Sequence, residues 1–209
     1  LFPKVENWRG SKRGLYLAVL EEMDAQLGPL FDRIKTDAKL HDNTIVIICS
    51  DNGPELDYGS GGPFKGLKAT LLEAGIRSPL IVWGPGSMTE SVQGTINDDS
   101  IVCAMDLVPS LLKIANVNSL SDVSFDGEEL ASTFLGESQR SRKDPIFFRR
   151  PPDRKDYRNL KELPDLAMRQ GKWKLLWSKQ TSENVNPFQK LFAGLAKDTN
   201  FQIVEENGS

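Results

Sequence analysis

The feature that most restricts the fold is the unbroken apolar run Thr44-Ile45-Val46-Ile47-Ile48-Cys49, which stops abruptly at Ser50-Asp51-Asn52-Gly53-Pro54. β-Branched side chains lose rotamer freedom in a helix and pack well on a pleated surface, so this run is a strand. It lacks the polar alternation of a half-exposed strand and predicts cover on both faces, as in a parallel sheet flanked by helices. The preceding segment has a different period. Leu15, Val19, Leu20, Met23, Leu27, Leu30, Phe31 and Ile34 recur in steps of three and four, which predicts an amphipathic helix over about 15–35 that buries one face. Glu21, Asp24, Asp32 and Lys35 fill the other face. A helix followed by a buried strand is an α/β pattern. Gly28 lies inside the helix, where glycine costs about 1 kcal/mol relative to alanine, and reads as a close helix contact.

Further along, Pro79-Leu80-Ile81-Val82-Trp83 is a second short strand, closed by Gly84-Pro85-Gly86. Ser100 to Ala115 returns to helical spacing, with Leu107, Val108, Leu111, Leu112 and Ile114 expected in the core and Asp106 as a cap. Ser119 to Asp144 is mostly polar and predicts loop with one short helical stretch. The pattern then changes: Ile146-Phe147-Phe148 is a short strand, and 166–177 reads as a β-hairpin turning at Gln170-Gly171. The expected organisation is therefore an α/β sheet covered by helices over residues 1–143, followed by a small antiparallel α+β subdomain over 144–209. Trp173, Leu175 and Trp177 share one strand face and are expected to pack as a hairpin core, with an aromatic sugar platform as the alternative. The run Arg149 to Lys155 reads as a solvated loop, Asp153 and Asp156 diluting its charge.

Composition removes several function classes. Across 209 residues, 26 Lys and Arg face 29 Asp and Glu, not the clustered basic excess of a nucleic-acid binder. No apolar run approaches the ~18 residues of a membrane span. With one histidine, a Ser-His-Asp triad or a histidine-based zinc site has almost nothing to draw on. Cys49 and Cys103 sit in apolar contexts and read as two buried free thiols. The chain opens on Leu1-Phe2-Pro3 with no Met and no leader, so the natural amino terminus is expected upstream.

Chemistry gathers past the first strand. In open α/β sheets, ligands collect at the carboxyl ends of strands. There, Asp51 and Asn52 offer a carboxylate and an amide carbonyl, hard oxygens suited to Ca²⁺ or Mg²⁺. A glycine-rich loop, Gly59-Ser60-Gly61-Gly62, leads to Lys65-Gly66-Leu67-Lys68, where Lys68 would set a point charge on a tetrahedral oxyanion. Alone, Asp-Asn-Gly is a turn and Lys68 a solvated lysine.

In order, Met23-Asp24, Asp42-Asn43-Thr44, Ser50-Asp51-Asn52-Gly53-Pro54, Lys65 to Pro79, Gly84-Pro85-Gly86, Met105 to Ser110 and Ala167 to Leu175 resemble the sulfatase family of the alkaline-phosphatase-like superfamily, specifically its carboxy-terminal portion. The resemblance covers Leu15 to Trp177. It implies that Asp51 and Asn52 are ligands of calcium, with magnesium as a variant, and that Lys68 binds sulfate and stabilises charge. It further implies a sulfuric ester hydrolase, of the arylsulfatase or N-acetylgalactosamine-6-sulfatase kind, acting on an aryl or carbohydrate sulfate.

Two departures stand out. The family's Glu-Gly-Gly is Glu73-Ala74-Gly75 here, so Ala74 would be strained if that backbone required positive φ. Family members also form their nucleophile, a formylglycine, within Cys/Ser-x-Pro-x-Arg, and neither Cys49 nor Cys103 begins such a motif. The formylglycine is therefore expected upstream, and the chain alone is expected to be inactive and poorly soluble. His41 reads as a helix-end residue, and Glu73 with Arg77 as a structural pair. A phosphodiesterase or phosphonate hydrolase of the same superfamily, or a non-catalytic remnant that binds sulfated glycan, remain as alternatives. Family members reside in periplasm, lysosome or outside the cell; the chain itself carries no mark of compartment.

Overall fold

The computed structural model describes residues 10–88, 90–117, 123–150, 164–179 and 199–205. The chain forms two compact units, Leu1–Thr89 and Glu90–Ser209.

The first unit opens with α1 (Lys12–Thr36), close to the helix the spacing predicts. Ser11 caps it, its side chain accepting from the Gly14 amide at 2.9 Å. Asp37 ends α1 and caps the next helix, α2 (Ala38–Asn43), accepting from the amides of Lys39 and Leu40. The same carboxylate takes the Arg33 guanidinium at 2.7 Å, one turn back. The expectation for Gly28 is corrected: nothing lies within 4 Å of where a Cβ would stand. Gly28 instead precedes Pro29, which sits inside the helix, and a residue before proline reaches helical angles most easily without a Cβ.

Strand β1 (Val46–Cys49) follows, then α3 (Glu73–Ile76) and β2 (Leu80–Trp83). The parallel, doubly covered strand is also corrected. β1 pairs antiparallel with β2, Val46 opposite Trp83 and Ile48 opposite Ile81, in a two-stranded ribbon whose residues are half-buried or exposed. α1 meets the ribbon at one end: the Phe31 and Trp83 rings stand edge to face 5.5 Å apart, and Lys35 lies over the Trp83 ring. Ile34 is buried, whereas Leu15, Val19, Met23 and Leu30 are exposed, so α1 buries only part of its apolar arc.

In the second unit a 3-10 turn (Ala104–Asp106) leads into α4 (Leu107–Ile114), and α5 (Ala131–Phe134) is the short helix of the polar stretch. Val108 and Leu111 are exposed rather than in the core; Ser110 is buried, its hydroxyl donating to Asp106 O at 2.5 Å and accepting from the Leu130 amide at 2.8 Å. Strands β3 (Ile146–Arg149), β4 (Leu166–Gln170), β5 (Trp173–Lys179) and β6 (Thr199–Glu205) form an antiparallel sheet in that order. The β4–β5 hairpin turns at Gly171, whose φ of 54° is left-handed. Its buried face is the reverse of the one expected: Ala167, Lys174 and Leu176 are inside, while Trp173 is half exposed with Lys172 over its ring. Residues 151–155 of the basic run lie outside the described residues. Helices with small antiparallel sheets make this an α/β chain ending in an antiparallel sheet, as the sequence predicts.

The tightest polar cluster is built around Asp106, which is fully buried. Its carboxylate accepts from the Cys103 amide at 2.9 Å, the Glu128 amide at 2.8 Å and the Arg142 guanidinium. Arg142 also donates to Asp126 O at 2.8 Å and to Asp144 O at 3.1 Å. Burial works to lower the Arg142 pKa, but the Asp106 charge and hydrogen bond outweigh it and hold the group above its ordinary value. Burial, followed by the Asp106 charge, pushes the Cys103 thiol up. Both cysteines are free, as expected, but Cys49 is exposed and Cys103 only half-buried.

Candidate functional site

Immediately past β1 the chain is stapled in place. The Ser50 amide donates to Ser78 Oγ at 2.9 Å, and Ser78 Oγ donates back to Ser50 O at 2.7 Å. Ser50 Oγ in turn donates to Asn52 O at 2.8 Å, fixing the Asp51-Asn52 turn. Asp51 is exposed and Asn52 half-buried. Among the described residues neither side chain takes a hydrogen bond or ion pair, so their oxygens are uncommitted.

Glycines let this turn sit against α3. The Gly53 amide donates to Gly75 O at 3.2 Å, and a Cβ on Gly53 would stand 1.9 Å from Ala74 O. A Cβ on Gly75 would stand 2.2 Å from Thr70 O. Ala74 lies inside α3 and is not among the residues with positive φ; the nearest non-glycine residue that is left-handed is Ala69, at φ 68°. Thr70 is buried and closes the preceding turn, its hydroxyl donating to Leu67 O at 2.8 Å. Gly53→Ala is expected to destabilise the first unit by about 1–3 kcal/mol, because the clash is with backbone that has no flexible end to yield. Amide hydrogen exchange over residues 50–77 reads this directly, and wild-type protection in the variant would refute it.

Lys68 belongs to the same knot. Its amide donates to Pro54 O at 2.8 Å, which seats it against the residue that closes the Asp51-Asn52 turn. Its ammonium lies 3.3 Å from Glu55, and both side chains are partly exposed. Sequence reasoning missed Glu55, and it missed Arg13, whose guanidinium donates to Tyr58 O at 2.6 Å. The Tyr58 amide donates to Glu55 O at 3.2 Å, so the start of α1 holds the loop that carries Glu55. Proximity to Pro54 was the only sequence signal for Glu55; Arg13 left none. Glu73 and Arg77 pair at 3.7 Å within α3 and its cap, and Arg77 lies over the Phe64 ring. His41 lies in the last turn of α2 and meets Asp42 at 2.8 Å; Asp42 and His41 also wall in Gly86. Neither joins Lys68.

The fold defines the class: an α/β chain in which a strand-end turn with uncommitted side-chain oxygens lies beside a lysine. Residues 2–117 match the sulfatase family, and the chain belongs to that family. It is 34% identical over 145 residues to human N-acetylgalactosamine-6-sulfatase, covering 67% of this chain and 26% of that protein. It is 33% identical over 168 residues to human arylsulfatase A, covering 78% of this chain and 30% of that protein. The chain thus spans less than a third of the length of these relatives. In fold it resembles the crystal structure of Ps i-CgsB in complex with k-i-k-neocarrahexaose, with a TM-score of 0.69 at 22% identity over 95% of this chain and 38% of that one. A second likeness is to PsFucS1 sulfatase from Pseudoalteromonas sp., with a TM-score of 0.57 at 21% identity over 90% of this chain and 34% of that one.

Proposed function

We propose that the chain is the carboxy-terminal part of a sulfuric ester hydrolase that releases sulfate from a carbohydrate or aryl sulfate. Lys68 binds the sulfate group, and Asp51 and Asn52 contribute oxygen ligands to calcium or, as a variant, magnesium. The observation that carries this reading is the hydrogen bond from the Lys68 amide to Pro54 O, which ties a cationic side chain to a turn bearing two uncommitted oxygen donors. One carboxylate and one amide carbonyl suit a hard cation, but calcium takes about 6–8 oxygens. Among the described residues no three His, Cys, Asp or Glu gather as a metal group, so the ligand set here is partial. The remaining ligands and the formylglycine belong, in this reading, to the rest of the domain. Calcium, when bound, neutralises charge on a sulfate oxygen.

What the chain's own residues do follows from their charge. Ester cleavage moves negative charge onto the departing oxygen and the sulfuryl group, and an ammonium fixed beside them stabilises that charge more than the ground state. Glu55 holds Lys68 meanwhile. A pair this exposed contributes about 0–1 kcal/mol, so an incoming sulfate ester exchanges with Glu55 readily. The test is to assay the complete protein on an aryl sulfate with and without calcium. Calcium-dependent sulfate release is expected; hydrolysis of phosphodiesters in its place would overturn the reading.

A further inference from the structure

We infer that Glu55 is a specificity-determining residue: its carboxylate, held beside Lys68, selects a monoanionic ester such as a sulfate against the dianion of a phosphate monoester. This rests on the sulfatase reading of the same site.

The two esters differ in charge and hardly in shape. An aryl sulfate and an aryl phosphate monoester share a tetrahedral centre with three terminal oxygens, so the walls of a pocket do not separate them. They differ by one charge, because the second proton of the phosphate leaves at about pH 6. An ammonium by itself favours the dianion, which it attracts about twice as strongly. A site that prefers the monoanion therefore needs a fixed negative group beside its cation. Glu55 lies 3.3 Å from the Lys68 ammonium.

Glu55 is anchored there by its backbone. The Lys68 amide donates to Pro54 O at 2.8 Å, which joins the two strands of chain one residue from Glu55. Glu55 O accepts from the amides of Tyr58 at 3.2 Å and Gly59 at 3.0 Å, closing a tight turn. Gly59 folds back on Pro54, where a Cβ would stand 2.5 Å from the proline Cβ. Inside the turn Asp57 holds a left-handed φ of 67°, and the start of α1 clamps it. Lys12 pairs with Asp57 at 3.3 Å, and Arg13 donates to Tyr58 O at 2.6 Å. An ester that takes Lys68 can turn the Glu55 side chain aside but does not carry its backbone away. Two anions that share one ammonium stand about 6 Å apart. Between the dielectric of water and that of a protein surface, repulsion at this distance weakens binding by about three- to a hundredfold per charge on the ester. The dianion bears that penalty twice.

The experiment uses the complete protein with calcium at about pH 8 and two phosphates of one phenol, the methyl diester as monoanion and the monoester as dianion. Calorimetry gives the Kd of each, and release of sulfate from the corresponding aryl sulfate is assayed separately. Glu55→Gln is expected to tighten the monoester on the order of tenfold more than the diester. Glu55→Asp, which keeps the charge, should hold most of the wild-type ratio. An equal gain for both phosphates, or no gain in either, would overturn the inference, while calcium-dependent sulfate release would still support the sulfatase reading. Diester hydrolysis in place of sulfate release, with the monoester still gaining more in Glu55→Gln, would sink the sulfatase reading and keep the charge selection.

Discussion

Arg142→Met is expected to destabilise the second unit by about 3–5 kcal/mol, the largest effect of any single substitution considered for stability. The reason is what remains rather than what is removed. Asp106 is fully buried, and without the guanidinium its carboxylate loses its cationic partner and is left with neutral donors such as the amides of Cys103 and Glu128. Two backbone carbonyls, of Asp126 and Asp144, lose their donors at the same time. The partner substitution Asp106→Leu strands the guanidinium instead and should be comparably harmful. The double variant removes both charges and is expected to recover most of the loss, since a buried ion pair is often no better than well-packed apolar groups. Hydrogen exchange at the amides of 103–111 and 128–146 isolates this unit, which a single melting curve on a two-unit chain does not. A double variant as unstable as the sum of the singles would mean that Asp106 and Arg142 act independently.

Nothing local in the sequence announces that pair. The partners are 36 residues apart, and Arg142 sits in a polar stretch that reads as loop. Asp106 stands at the cap position the sequence suggests for α4, but its side chain makes no cap hydrogen bond there; it turns to the Cys103 and Glu128 amides and to a distant arginine, and the last of these is a tertiary fact. The same division runs through the fold. The extent of α1, the strands at 46–49 and 80–83, and the 166–179 hairpin follow from periodicity and turn chemistry, which act over a few residues. Which face is buried does not follow. Trp173 and Leu175 look more apolar than Lys174, yet Lys174 and Leu176 are inside, because the register with Ala167 and its neighbours decides the face. The β1 run predicted cover on both sides; among the described residues it has one antiparallel neighbour and partial cover.

In the candidate site the order of motifs carried more than any residue did. Asp51-Asn52 alone is a turn and Lys68 alone a loop lysine. What joins them is backbone: Ser78 stapling Ser50, Gly53 against Gly75, and the Lys68 amide on Pro54 O. Those bonds need glycines at fixed places, which the sequence shows, but it does not say which backbone each glycine admits. Glu55 was missed for that reason, since its pairing with Lys68 depends on the seat and not on spacing.

Lys68→Ala, in the complete enzyme, is expected to lower kcat by about 10²–10³-fold, the range for removing one preorganised group that stabilises transition-state charge. The size of the effect separates two roles. If the ammonium mainly holds the sulfate in the ground state, KM rises and kcat is unchanged; if it acts on charge that develops during cleavage, kcat and kcat/KM fall together. The proposed site predicts the second pattern, because Lys68 is fixed by its own backbone to the turn that holds Asp51 and Asn52. Lys68→Arg should recover little: the guanidinium is a wide planar fork where the seat places a compact charge. Glu55→Gln is the control. It removes the carboxylate that holds Lys68 without removing the ammonium, and it is expected to leave kcat near wild type while lowering KM, since sulfate no longer competes with Glu55. Steady-state kinetics on an aryl sulfate at saturating calcium measure all three variants. A Lys68→Ala enzyme within about threefold of the wild-type kcat would remove Lys68 from the chemistry and leave it as the counter-ion of Glu55.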